Sequence, residues 1–200
     1  MKIFASYSAR SKNFLALSAL LLAANLSASA AVVDLGTAAS ATPYDRYLTP
    51  VKQVFNNIHT EGVTLDRVNA LMRQGRAFRY AHTEPYVPAL PQDTAARHCG
   101  DCKDKALWLM DQLGDQNVRF VIGKLDRGSN VSHAWLLWEH DGQWWILDCT
   151  MLAHAIPAER ASANEYVPLY SFSKNSAFRH TDKAGLVADT AAAKTTKSGV

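Results

Sequence analysis

Cysteine is scarce in this chain of 200 residues: there are three, at positions 99, 102 and 149. An odd number leaves at least one thiol over unless it pairs with another chain, so a framework of internal disulfides does not account for them. A long apolar run is also missing. Residues 14–24 are apolar but too few to span a bilayer comfortably, which argues against a membrane helix. A surplus of charge is missing as well. The formal charge of +3 comes from Lys2, Arg10 and Lys12, and the remaining chain carries eighteen basic against eighteen acidic residues. Nothing in that balance calls for a nucleic acid or another polyanion as partner. Internal repeats are absent too.

What is present begins with a targeting signal. The three basic residues, the apolar run and the small residues Ala28-Ser29-Ala30 predict a secretory signal peptide over residues 1–30, with an uncleaved anchor as the weaker alternative. No cysteine lies near the cut, which argues against a lipid-anchored form. The expected address is the periplasm or the exterior, with no stable membrane span once the signal is removed. Residues 31–43 read as a linker, 44–172 as one domain large enough to bury a core, and 173–200 as a disordered tail rich in Lys, Thr, Ala, Ser and Gly.

Within the domain, Thr49-Pro50 reads as an N-cap and a first-turn proline, followed by Val51, Val54, Phe55 and Ile58 at helical spacing. A second helix is predicted from Thr64, with Leu65, Val68, Leu71 and Met72 on one stripe and Gly75 as its stop. Residues 77–80 suggest a short extended segment. The three prolines of residues 84–92 predict a surface loop. A third helix has the clearest boundaries. Asp101 suits the N-cap, Asp104 completes a capping box, Ala106, Leu107, Met110 and Leu113 form the buried stripe, and Gly114 ends it. Asp101 and Asp104 therefore read as caps, not as ligands.

Three strands follow, over residues 118–125, 132–140 and 143–150. Asp141-Gly142 is a two-residue hairpin signal that sets His140 opposite Gln143. In that register His133 and Asp148 are diagonal neighbours on one face, within reach of a side-chain hydrogen bond. Cys149 goes to the other face with Ala134, Leu136, Trp138, Trp145 and Leu147, and reads as a small core residue. Most of the tryptophans read as core. Trp135 shares the face of His133 and is the candidate wall of a substrate cleft.

Cys102 falls in the first turn of the third helix, where backbone N–H groups and the positive end of the helix dipole favour negative charge on its sulfur. A thiol so placed, a strand histidine and a strand carboxylate are the parts acyl transfer through sulfur requires. Cys99-Gly100-Asp101-Cys102 also has the spacing of a thiol–disulfide oxidoreductase, with Cys99 attacking, but no βαβ pattern precedes it and His133 and Asp148 are left without a role. A zinc site from Cys99, Cys102 and His133 with His98 or Cys149 lacks a second C-x-x-C pair.

GDCKDKA opening a helix, SHAW in one strand and WWILDCT in the next resemble the transglutaminase-like superfamily, and within it the bacterial transglutaminase-like cysteine peptidases. VNALMRQGRAFRY fits the helix and extended stretch that precede the cysteine loop in that group. The resemblance covers roughly residues 50–152. It implies an α+β, papain-like fold in which N-terminal helices precede a cysteine helix packed on an antiparallel sheet. It further implies Cys102 as nucleophile, His133 as general base and acid, Asp148 as the orienting carboxylate, and a protein or peptide substrate in the cell envelope. The expected activity is that of a peptidase or amidase, with a catalytically silent binding module of the same fold as the other reading. Some members bind calcium through acidic residues flanking the cysteine. Here one flank is Asp101 and the other is Lys103, so no metal is expected. A second oxyanion donor is sought upstream, among Gln92, Tyr80 and His98.

Overall fold

A computed structural model of the chain describes residues 34–181, apart from residues 60, 61, 85 and 163. The signal-peptide reading of residues 1–30 and the end of the tail, 182–200, lie outside the described residues. No helix among the described residues is long and apolar enough to cross a membrane.

The helices come first. Helix α1 is Thr49–Asn57, with Leu48 in the capping position and Pro50 in its first turn, so Thr49 is already helical and not the cap. Helix α2, Leu65–Ala77, starts as expected: the Thr64 side chain accepts a hydrogen bond from the Arg67 N–H. It runs past Gly75, which is not a stop. A Cβ at position 75 would lie 2.7 Å from both Cys149 Sγ and the Trp108 ring, so glycine is there to let α2 approach its neighbours. Helix α3, Pro91–Arg97, begins inside the predicted loop of residues 84–92 and was not expected. Its proline occupies the first turn, where no N–H is required. Helix α4, Cys102–Leu113, begins at the Asp101 cap with the Asp101/Asp104 capping box and ends at Gly114 in the left-handed conformation, as predicted. It is not the one-stripe helix expected. Lys103, Asp104 and Lys105 are buried along with Leu107, Trp108, Leu109 and Met110, because α1, α2, α3 and the sheet surround it.

The strands are β1 (Thr37–Ala38), β2 (Arg79–Tyr80), β3 (Cys99–Gly100), β4 (Val118–Asp126), β5 (His133–His140), β6 (Gln143–Leu147), β7 (Ile156–Pro157), β8 (Glu165–Phe172) and β9 (Ala177–Arg179). Seven of them form one sheet in the order β1-β9-β8-β4-β5-β6-β7, antiparallel at every pairing, while β2 and β3 pair in parallel beside it. The protein is α+β, with the cysteine helix on an antiparallel sheet as anticipated. The expected linker and tail are not idle: β1 lies within residues 31–43 and pairs with β9, which lies beyond residue 172. Thr181 adds two hydrogen bonds to the Asp34 carboxylate, and His180 is buried against Ser171.

The β5–β6 hairpin has the register read from its turn, His140 opposite Gln143, with positive φ at both Asp141 and Gly142. The two faces of the sheet separate two cores. Ala134, Leu136, Trp138, Leu147 and Cys149 pack with Phe120 and Ile122 under α1, α2 and α4. Val121, Trp135, Leu137 and Ile146 pack on the other side with Ala158 and Tyr166.

Gly75→Ala tests the α2 contact. Alanine gains roughly 1 kcal/mol of helix propensity, whereas forcing a methyl between two buried side chains typically costs about 1–3 kcal/mol. A net loss is expected, read as a lower urea midpoint. A raised midpoint would show that Cys149 and Trp108 yield freely.

Candidate active site

Cys102 is the first residue of α4, and the local sequence explains why the helix begins there. Asp101 Oδ1 accepts the N–H groups of Lys103 (3.1 Å) and Asp104 (3.4 Å), and Asp104 Oδ2 returns the bond to the Asp101 N–H (3.3 Å). Gly100 completes the entry: a Cβ there would sit 2.7 Å from the Asp104 Cβ. The same carboxylates bind Thr83 and Ala89. Thr83 Oγ1 lies 3.1 Å from Asp101 Oδ2 and 2.9 Å from Asp104 Oδ2, and the Ala89 N–H donates to Asp104 Oδ1 at 2.8 Å. Lys103, buried here, bonds to Asp101 Oδ2 and donates to Thr83 O (3.1 Å) and Thr83 Oγ1 (2.9 Å).

His133 opens β5 and Asp148 follows the last residue of β6. The ladder of the hairpin stops at the Leu136–Leu147 pair, and the chain turns at Asp148, whose carbonyl accepts from Met151 and Leu152. The two side chains meet as the register predicts: His133 Nε2 lies 2.7 Å from Asp148 Oδ2. The carboxylate divides its work. Oδ1 caps the turn through the Thr150 (2.9 Å) and Met151 (3.3 Å) N–H groups, and Oδ2 serves the imidazole.

A further side chain was not found from sequence. Tyr166 Oη donates to Asp148 Oδ2 at 3.1 Å. Tyr166 lies in β8 with φ +49°, a conformation that side chains rarely adopt, and its phenol is held well above its usual pKa, first by burial and then by the Asp148 charge. Only the pairing of β4 with β8 brings it there. No strand was predicted over 165–172, where Pro168 reads as a strand breaker. The register shift between Ile122 and Gly123 accommodates that proline.

His133 is buried, which by itself would lower its pKa. The hydrogen bond to Asp148, the neighbouring Cys102 and the charges of both overcome the burial and raise it to about 9. His133 is thus bonded to Asp148, and it borders the same two cavities as Cys102.

Trp135 corrects an expectation. It shares the His133 face, but it is 1% exposed and lines neither cavity beside Cys102. β8 covers that face, Gly123 gives the indole room, and Tyr166 meets it edge-on, so Trp135 stacks beneath His133 at 6.0 Å as a support. The two cavities, about 240 and 400 Å³, share Tyr80, Cys102, Val131, Ser132 and His133. Of the three upstream donors considered, Tyr80 alone borders them. Its phenol pKa is raised, first by desolvation and then by the charges of Cys102, Asp101 and Asp104. Cys99 stands apart in β3, where its sulfur accepts from Arg79 Nη2 at 3.3 Å, and Cys149 is buried with its thiol pushed up to about 12 by desolvation. Among the described residues all three cysteines are free, and no cluster of three or more His, Cys, Asp and Glu side chains is arranged to hold a metal.

No family model matches the chain, and no curated protein matches it in sequence. Among solved structures it is similar to Legionella pneumophila LapG in an EGTA-treated form, with TM-score 0.47, 15% identity and coverage of 64% of this chain and 72% of that one. The calcium-bound form of LapG gives 0.46 at the same identity, covering 64% and 74%. A candidate cysteine protease from Cytophaga hutchinsonii gives 0.39 at 17% identity, covering 56% of this chain and 42% of that one. Scores below 0.5 carry no assignment of activity.

The raised pKa of His133 has a sign that can be measured. Its stabilising contribution is complete below the ordinary value of 6.5 and is lost as pH rises through about 9. NMR titration should place the imidazole midpoint near 9 and substantially lower in Asp148→Asn. The stability gap between the two proteins should narrow from about pH 6 to about pH 10. A midpoint at the ordinary value in the native protein would refute the coupling.

Proposed function

We propose that this protein is an exported cysteine hydrolase, a peptidase or amidase of the transglutaminase-like type, working through an acyl-thioester on Cys102. The observation that carries the reading is the imidazole of His133, which is bonded through Nε2 to Asp148 at 2.7 Å and borders the same two cavities as Cys102 at the start of α4. With Nε2 committed to the carboxylate, Nδ1 is the nitrogen left to exchange a proton with the thiol. Sγ attacks the amide carbonyl carbon, and His133 passes the thiol proton to the amine as the C–N bond breaks. Water, deprotonated by the same imidazole, then cleaves the thioester and restores the thiol. Asp148 holds the ring and balances its positive charge, and Tyr166 fixes Asp148. The Cys102 N–H and the Tyr80 hydroxyl are the groups proposed to receive the oxyanion. The leader read over residues 1–30 would place the enzyme in the periplasm or outside the cell, acting on protein or peptide substrates of the envelope.

Labelling with iodoacetamide at mildly acidic pH tests this. Cys102 should react fastest of the three cysteines, and His133→Ala should slow it by on the order of a hundredfold. Cys99→Ser should keep peptidase activity and Cys102→Ser should lose it. Slow, equal labelling of all three thiols would leave a silent binding module, and dependence on Cys99 would leave the redox reading.

Calcium at the residues flanking Cys102 does not fit the side chains present. Such an ion takes six to eight oxygen ligands, and here the oxygens of Asp101, Asp104 and Thr83 have partners, among them the Lys103 ammonium. The lysine supplies the positive charge that the two buried carboxylates need. EGTA is therefore expected to leave the melting temperature and the Cys102 labelling rate unchanged. Lys103→Met should lower stability by about 3–5 kcal/mol, since it strands a buried carboxylate. A fall in melting temperature of the native protein on adding EGTA would contradict this.

A further inference from the structure

Single exposed apolar side chains are ordinary on a protein surface, but a contiguous group of them marks a place where something binds. Among the described residues five large apolar side chains are exposed: Leu35, Tyr80, Tyr86, Val131 and Met151. Four of these five border the two cavities that meet at Cys102 and His133. Val131, 74% exposed, and Tyr80 border both, Tyr86 the smaller and Met151 the larger. Solvent contact is thus concentrated where the reacting sulfur lies.

The two cavities differ in depth and agree in chemistry. The smaller has a floor of Leu48, Phe120 and Ile122, all buried core residues. Tyr47 and Tyr86 meet edge to face, 5.2 Å apart, on its wall. Asp101, Lys103 and His82 also border it, but Asp101 and Lys103 are paired with one another and His82 Nε2 lies 3.0 Å from Glu84 Oε1. The larger is bordered by Leu125, Met151, Ser129 and Thr150, and His133 is its one ionisable side chain besides Cys102 and Tyr80. Neither presents an unpaired carboxylate or ammonium to a ligand. Burying a charged side chain in such a lining would strand it, whereas an apolar one gains from the transfer.

We infer that the substrate is an extended polypeptide bearing apolar side chains on both sides of the amide that Cys102 attacks. This rests on the cysteine-hydrolase reading. A single apolar pocket would suit a small acyl amide equally well. Two pockets that meet at Cys102 and His133 and are lined elsewhere by different residues, Tyr47, Leu48 and Tyr86 in one and Leu125, Thr150 and Met151 in the other, suit a chain that continues past the scissile bond in both directions.

The test is digestion of a proteome-derived peptide library by the purified mature protein, with Cys102→Ala as the blank and cleavage sites read by mass spectrometry. Sites should be enriched in Leu, Ile, Val, Met and aromatic residues within two positions on each side, and depleted in Asp, Glu, Lys and Arg. On a quenched peptide built from the enriched residues, Val131→Asp and Met151→Asp should each lower kcat/KM by about tenfold or more. Leu35→Asp, also at an exposed position but away from the cavities, should leave it unchanged. Both cleft variants replace exposed side chains, and unaltered melting temperatures would show that they fold. Enrichment on one side only, or indifference to charge, would overturn the inference. So would an absence of cleavage while Cys102 labels rapidly in a His133-dependent way, which leaves the hydrolase reading standing. Absence of cleavage with slow, equal labelling of all thiols would remove both.

Discussion

The rest of the molecule depends on two carboxylates buried at the start of α4. Asp101 and Asp104 cap a helix that is enclosed on every side, and they do so while holding Thr83, Ala89 and the Lys103 ammonium. A helix start left unpaired at this depth would strand several N–H groups, each a loss of about 1–3 kcal/mol. Meeting that requirement with side-chain oxygens fixes where the helix begins. Where it begins fixes Cys102. The wall of the smaller cavity follows too, since Tyr86 lies between the two residues that these carboxylates hold.

Opposite this stands a second fixed point, the Asp148 carboxylate. Its two oxygens join a turn, a strand histidine and a tyrosine from β8, so three separate stretches of chain converge on one charge. The imidazole lies between the two anchors. It bonds to Asp148 and borders both cavities with Cys102, with Trp135 stacked beneath its ring. The positive φ of Tyr166 is the local strain that this convergence sustains.

What was legible in the sequence was what local chemistry decides. Asp101, Asp104 and Gly114 delimit α4 by themselves, and Asp141-Gly142 sets a register that brings His133 to Asp148 from fifteen residues away. What was not legible depends on parts of the chain that meet only after folding. Tyr166 reaches Asp148 through the β4–β8 pairing, and Pro168 disguises that strand. Trp135 was put on the correct face, but β8 could not be seen to cover it. Gly75 looks like a helix stop because glycine often is one, while its actual reason, the sulfur of Cys149, lies 74 positions further along the chain. Lys103 has the composition of a solvated residue, and its burial becomes intelligible only beside Asp101.

The pairing of β1 with β9 carries a consequence for how the chain comes to exist. The first strand has no partner until the last has been synthesised, so the outer edge of the sheet is among the last features that ribosomal synthesis can complete. Asp34, Leu35 and Gly36, which bond or pack against Thr181, Arg119 and Arg179, wait with it. Contacts this distant in sequence carry a large loop-closure cost and are slow to form, so this edge closes onto a sheet whose centre does not depend on it.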